Sequence, residues 1–248
     1  NDNLAIGYEA MTTNTAGGEK NVALGNYALD ALTSGDFNVA VGYDVLTANT
    51  TGYGNTAVGE QTMLANTEGY YNTATGRLAL QANTTGDFNT ANGYRSLYTN
   101  TTANNNTAFG AYALNLNTTG ADAVAVGFEA LLANTTGANN VGIGYRALKH
   151  NTTAGNNIAV GFEALTTNVT GTANVGVGFQ ALKVNLASNN TAIGDQSMEA
   201  NTSGAGNTAV GQTALYSNTT AENNTAVGMS AMYANTTGAD NVAVGHGA

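Results

Sequence analysis

Side chains able to do acid–base or metal chemistry are sparse in this chain. There are two histidines, His150 and His246, far apart in sequence, and no cysteine. A His/Cys metal site needs several such ligands together, so no metal or cofactor is expected. Glu9, Asp44, Glu129 and Glu163 recur at one position of a repeating unit. Glu129 and Glu163 are two repeats apart, which strand spacing converts to roughly 10 Å, near the carboxyl separation of inverting glycosidases. Arg146 stands between them, however, and a solvated face is the expected reading. Asp36, Asp87, Asp122 and Asp240 follow or nearly follow turn glycines without forming a calcium-binding nonapeptide, and read as turn residues. Gly-x-Gly strings such as Gly142-Ile143-Gly144 recur with the period and do not open a phosphate loop. No catalytic residue is assigned and no enzymatic activity is expected.

The aromatic residues offer more. Phe128, Tyr145, Phe162 and Phe179 hold the same position in four successive repeats, and Tyr8, Tyr43 and Tyr94 share it. Phe37, Tyr71 and Phe88 form a second set. An exposed aromatic stripe would suit a glycan or protein partner; packing between chains is the alternative. Glu60, Arg77, Asp195 and Gln212 interrupt the first column, so it is not uniformly buried.

What positions these residues is a repeat. A glycine returns from Gly7 to Gly245 at intervals of 17, with one interval of 18 and one of 16. A short fixed period over a whole chain predicts a solenoid whose coils bury an apolar face only by stacking. The typical unit is Asn-Thr-Ala-Val-Gly-Tyr-x-Ala-Leu-x-x-Asn-Thr-Thr-Gly-x-x. Counting from the glycine, positions −3 and −1 are mostly Val, Ile, Leu or Thr, and −2 is Ala except at Gly142 and Gly176. That alternation predicts a short strand ended by glycine, with the β-branched residues on the core face and the alanine on the other. Position +4 is always Leu or Met, as at Leu114, Leu131 and Leu148, and predicts a second inward segment too short for a helix. Asparagines at −4 (Asn55, Asn72, Asn89, Asn106) and +7 (Asn117, Asn134) predict amide ladders at turns. Asn49-Thr-Thr and Asn83-Thr-Thr are also formal glycosylation sequons, but their place at turns favours the structural role.

Composition sets outer bounds. Only 9% of residues are charged, yet apolar residues make up 42% and sit in step with the repeat, which argues against disorder. Proline is absent, as a backbone committed to ladders requires. A net charge of −10 argues against nucleic-acid partners and anionic membrane surfaces, and no apolar run is long enough to insert in a bilayer. The expected architecture is one all-β repeat domain over residues 1–248, about fourteen parallel coils, cut from a longer fibre.

Segments such as Asn38-Val-Ala-Val-Gly42, Asn157-Ile-Ala-Val-Gly161 and Asn241-Val-Ala-Val-Gly245 resemble the YadA-like head repeats of trimeric autotransporter adhesins. The whole chain is also similar to the repeats of phage tail-fibre-like proteins. The resemblance implies a left-handed β-roll, a homotrimer and a role in surface attachment, at a cell surface or on a virion or injection-system fibre. Two other readings compete: an ice-binding solenoid, disfavoured if threonine shares the core face with valine, and the non-catalytic shaft of a phage depolymerase spike.

Overall fold

A computed structural model describes residues 2–14 and 16–248. The chain is an all-β parallel solenoid of about fourteen turns of 17 residues, with no helix among the described residues. Its coils fall into two compact units, Asn1–Ala123 and Val124–Ala248. The first carries β1 (Leu4–Ile6), β2 (Val22–Leu24), β3 (Val39–Val41), β4 (Thr56–Val58), β5 (Thr73–Thr75), β6 (Thr90–Asn92) and β7 (Thr107–Phe109). The second carries β8 (Val124–Val126), β9 (Val141–Ile143), β10 (Ile158–Val160), β11 (Val175–Val177), β12 (Thr191–Ile193), β13 (Thr208–Val210), β14 (Thr225–Val227) and β15 (Val242–Val244). Within each unit consecutive strands pair in parallel, like position on like position: Thr56 on Thr73, Ala57 on Ala74, Val58 on Thr75.

One expectation is reversed. From β2 to β14 the central alanine, or glycine in β9 and β11, faces the interior, and the residues on either side face out. The opposite wall of the coil explains why. A Cβ placed on Gly142 would lie 3.2 Å from both Leu131 Cγ and the Ala147 carbonyl oxygen, and one on Gly176 would lie 3.2 Å from Leu165. Only a methyl group or a hydrogen fits there, so valine, isoleucine and threonine are turned outward.

The strand ends at the periodic glycine. At Gly144 φ is +132°, and a Cβ would stand 2.3 Å from the carbonyl oxygen of Gly161 in the next coil. Conformation and space both exclude a side chain there. Beyond it the chain zigzags through tight turns rather than forming a second strand. Position +2, as at Arg146 and Glu163, and all fourteen Leu or Met residues at +4 adopt left-handed backbone, the latter with φ of 49–54°. That conformation costs an L-residue roughly 1–2 kcal/mol. Two gains offset it. Leu148 donates its N–H to Ala164 O in the next coil at 3.1 Å, while Arg146 donates to Phe128 O in the preceding coil at 3.0 Å. The leucine side chain is also driven inward: Leu114, Leu131 and Leu148 are fully buried.

A polar seam closes each coil. In the first unit the Gly52 carbonyl accepts from Asn38 Nδ2 and Asn49 Nδ2, both at 2.9 Å. Gly69 accepts from Asn55 at 2.8 Å and Asn66 at 3.0 Å in the same way. The amide oxygens carry the contact to the neighbouring coil: Asn38 Oδ1 accepts the Asn55 backbone N–H at 3.0 Å, and Asn49 Oδ1 accepts Asn66 Nδ2 at 2.8 Å. The series continues through Asn72, Asn89 and Asn106 and ends on Ala123, whose N–H still bonds Asn106 Oδ1. In the second unit it runs from Asn140 to Asn241. Irregular coils keep the clamp. Asn14 reaches the carbonyl four residues on, Asn185 the one two residues on, and the regular coils the one three on.

Candidate functional site

The surface that could meet a partner is built on positions +1 and +2, just beyond the glycine. Because coils are equivalent, residues 17 apart lie side by side. In the second unit this stacks Phe128 on Tyr145, Tyr145 on Phe162 and Phe162 on Phe179, with centroids 5.7, 5.1 and 5.3 Å apart and planes within 13° of parallel. The rings are 37–47% exposed. Stacking covers the faces of the inner rings with other rings, so a ligand would meet mainly ring edges and the terminal faces.

Next to this stack runs a row of ion pairs. Glu129 Oε2 accepts from Arg146 Nε and Lys149 Nζ, both at 2.8 Å. Glu163 accepts from Gln180 at 3.0 Å and pairs with Lys183 at 3.2 Å. The Arg146 guanidinium also lies 4.8 Å from the Tyr145 ring centre. Burial alone would raise the Glu129 pKa, but bonds from Lys149 and Arg146 outweigh it and hold it below 4.5. The Gln180 amide does most to depress Glu163, against burial, with Lys183 adding to it. A general acid needs the opposite shift. Both carboxylates are therefore held ionised by their partners.

In the first unit the same position behaves differently. Tyr8, Tyr27 and Tyr43 meet edge to face at 5.6 and 5.8 Å, because Tyr27 enters from position +2. The second expected set is enlarged by residues that the column pattern misses. Tyr71 stacks on Phe88 at 5.6 Å, while Tyr53 and Tyr70, one position earlier in their coils, stack on each other at 5.1 Å and meet that pair nearly at right angles. Phe37 lies under Lys20, whose Nζ is 4.9 Å from the ring centre. A tyrosine pair in the second unit, Tyr216 and Tyr233, is also stacked, at 5.2 Å. The signal for both pairs is an aromatic repeated 17 residues later at one position.

The acidic turn residues cross-brace coils. Asp36 Oδ1 accepts the Glu19 N–H at 2.8 Å, Asp87 that of Tyr70 at 3.0 Å, and Asp122 an Asn105 amide at 3.0 Å. Asn49 and Asn83 are fully buried with their side-chain nitrogens engaged, so the folded chain offers neither to a glycosylating enzyme. Among the described residues no three His, Asp or Glu side chains gather as metal ligands, and no pocket opens. No known family matches the chain, and no curated protein is similar to it.

Proposed function

We propose that the chain is a structural and adhesive segment of an extracellular, trimeric fibre, with left-handed coils. One observation carries this reading: the outward strand face, positions −3 and −1, bears no charged residue in any coil. Val58, Val126, Ile143, Ile158 and Ile193 are 37–41% exposed on it. This uncharged face, with valine, isoleucine, leucine or phenylalanine at −1 in every coil but those of Thr75 and Asn92, suits burial against identical faces of two further copies. Such a fibre would sit at a cell surface or on a virion or injection-system appendage. A host glycan or protein would be held by repeated weak contacts, including the stack from Phe128 to Phe179. Sedimentation at micromolar concentration tests the assembly. The expected species has three times the 25.0 kDa chain mass, and Val126→Lys with Val160→Lys dissociates it without unfolding. A stable monomer of the unmutated chain overturns the reading. Replacing Phe128, Phe162 and Phe179 with alanine should weaken surface attachment; unchanged attachment removes the stack as a contact.

A second reading gains from the reversed strand. Thr56, Thr73, Thr90 and Thr107 form one outward column in the first unit, with Thr75 beside Thr73. Outward threonine at strand spacing is what an ice-binding face requires. Thermal hysteresis of the purified chain separates this reading from the first.

A further inference from the structure

The chain has no cysteine, so no disulfide ties one coil to the next. Two tyrosine pairs are placed to do so by other chemistry. Tyr53 and Tyr70 stack with planes 10° apart and centroids 5.1 Å apart; Tyr216 and Tyr233 stack at 4° and 5.2 Å. Tyr53 is 37% exposed and Tyr233 46%, so an oxidant can reach each pair. In each pair one phenol has a carboxylate beside it. The Asp87 carboxylate beside Tyr70 raises that phenol's pKa, and its Oδ1 accepts the Tyr70 backbone N–H at 3.0 Å. Tyr216 is raised first by the charge of Glu199 and then by burial.

We propose that Tyr53–Tyr70 and Tyr216–Tyr233 are sites of oxidative cross-linking, forming dityrosine bridges between adjacent coils when the chain meets hydrogen peroxide and a haem peroxidase. Each phenol loses one electron and one proton, and in Tyr70 and Tyr216 the neighbouring carboxylate receives the proton. The two phenoxyl radicals join through the ring carbons ortho to oxygen. The hydrogen on each joined carbon then moves to its oxygen, which restores both rings. In all, two electrons and two protons leave, and they reduce one peroxide to two waters. Stacked rings turn their π faces to one another, the direction in which the carbon–carbon bond forms, and edge-to-face rings do not.

The protein contains its own controls. Tyr53 and Tyr71 are also 5.1 Å apart, but their planes are 77° apart. Tyr8 has the Glu9 carboxylate beside it, which raises its pKa, yet it meets Tyr27 at 84°. Distance and a proton acceptor are thus each present without stacking.

The test treats the intact chain, diluted to suppress bridging between molecules, with peroxidase and peroxide. Dityrosine fluorescence is read, and the links are mapped by mass spectrometry after cleavage at acidic residues. Links 53–70 and 216–233 should dominate. Tyr70→Phe with Tyr216→Phe, which keeps both ring stacks, should lose most of the intramolecular signal, and Tyr71→Phe with Tyr27→Phe should retain it. Links at 53–71 or 8–27 in comparable yield, links only between molecules, or no dityrosine would overturn the proposal.

Discussion

Two columns share the interior of every coil and solve the same problem differently. The leucine column fills space. Met63 and Met198 replace leucine there and stay fully buried, as expected for a contact without direction. The asparagine seam works by direction: its amides are spent on a particular carbonyl and a particular neighbour, with Asn157 Nδ2 and Asn224 Nδ2 the buried exceptions that find no partner. Its one apolar substitute at +7, Leu32, is buried too, but leaves a mark. Asn14 Oδ1, which a neighbouring amide would otherwise meet, is buried without a partner. The leucines supply much of the apolar burial, while the seam selects one stacking register from the many that a uniform apolar column would accept.

The sharpest way to break this contrast is Asn83→Leu. It removes bonds to Asn66 Oδ1 and Gly86 O and strips the acceptor from Asn100. Three buried bonds and the groups they orphan should cost about 4 kcal/mol, read as a lower urea midpoint. Leu131→Ala should cost about 3 kcal/mol through the cavity it leaves. Leu131→Met should cost less than about 1.5 kcal/mol, a gap that the seam should not show for any apolar substitute. A pH titration gives a smaller effect. Glu129 and Glu163 titrate below the ordinary 4.5 when folded. Their stabilisation is therefore present above pH 4.5 and is lost as pH falls through their lower folded values. Glu129→Gln with Glu163→Gln should flatten acid unfolding in that window. The smallest effect is expected for Leu32→Asn. New partners for Asn14 Oδ1 and the Gly35 carbonyl should balance the lost apolar burial to within about 1 kcal/mol.

The stacking of coils was legible because each repeated residue type has one dominant use. Glycine marks the strand end, leucine the interior and asparagine the turn. Even the 18- and 16-residue intervals are readable, since both fall where the seam can close over a longer or shorter turn. The strand face was not legible. Val-Ala-Val alternates equally well either way up, and the usual preference for burying the larger residue points the wrong way. The deciding fact is the nearness of Leu131 and Leu165 across the coil, which depends on the path of the turns. That path was hidden as well, because leucine is a poor marker for left-handed backbone. Asn105, Asn139, Asn156, Asn189 and Asn223, with φ of 57–62°, advertise that conformation at another turn. Phe37, Tyr71 and Phe88 share it there with φ of 52–59°, which is why their rings project from a turn rather than from a strand. The pair Tyr53–Tyr70 lies outside both aromatic columns followed in the sequence, although its 17-residue spacing marks it.

Hydrogen exchange of the asparagine side-chain amides, resolved by NMR, tests the seam most directly. Asn49, Asn66 and Asn83 have nitrogens held by two acceptors or by one in a fully buried site, whereas Asn139 and Asn156 are exposed in the same chain and joined by a single solvent-exposed bond of 3.3 Å. The seam amides should exchange as slowly as strand N–H groups, and the exposed ones at rates near those of free asparagine. Equal, fast exchange in both sets would show that the amides do not lock the coils, and would leave the leucine column alone to set their register.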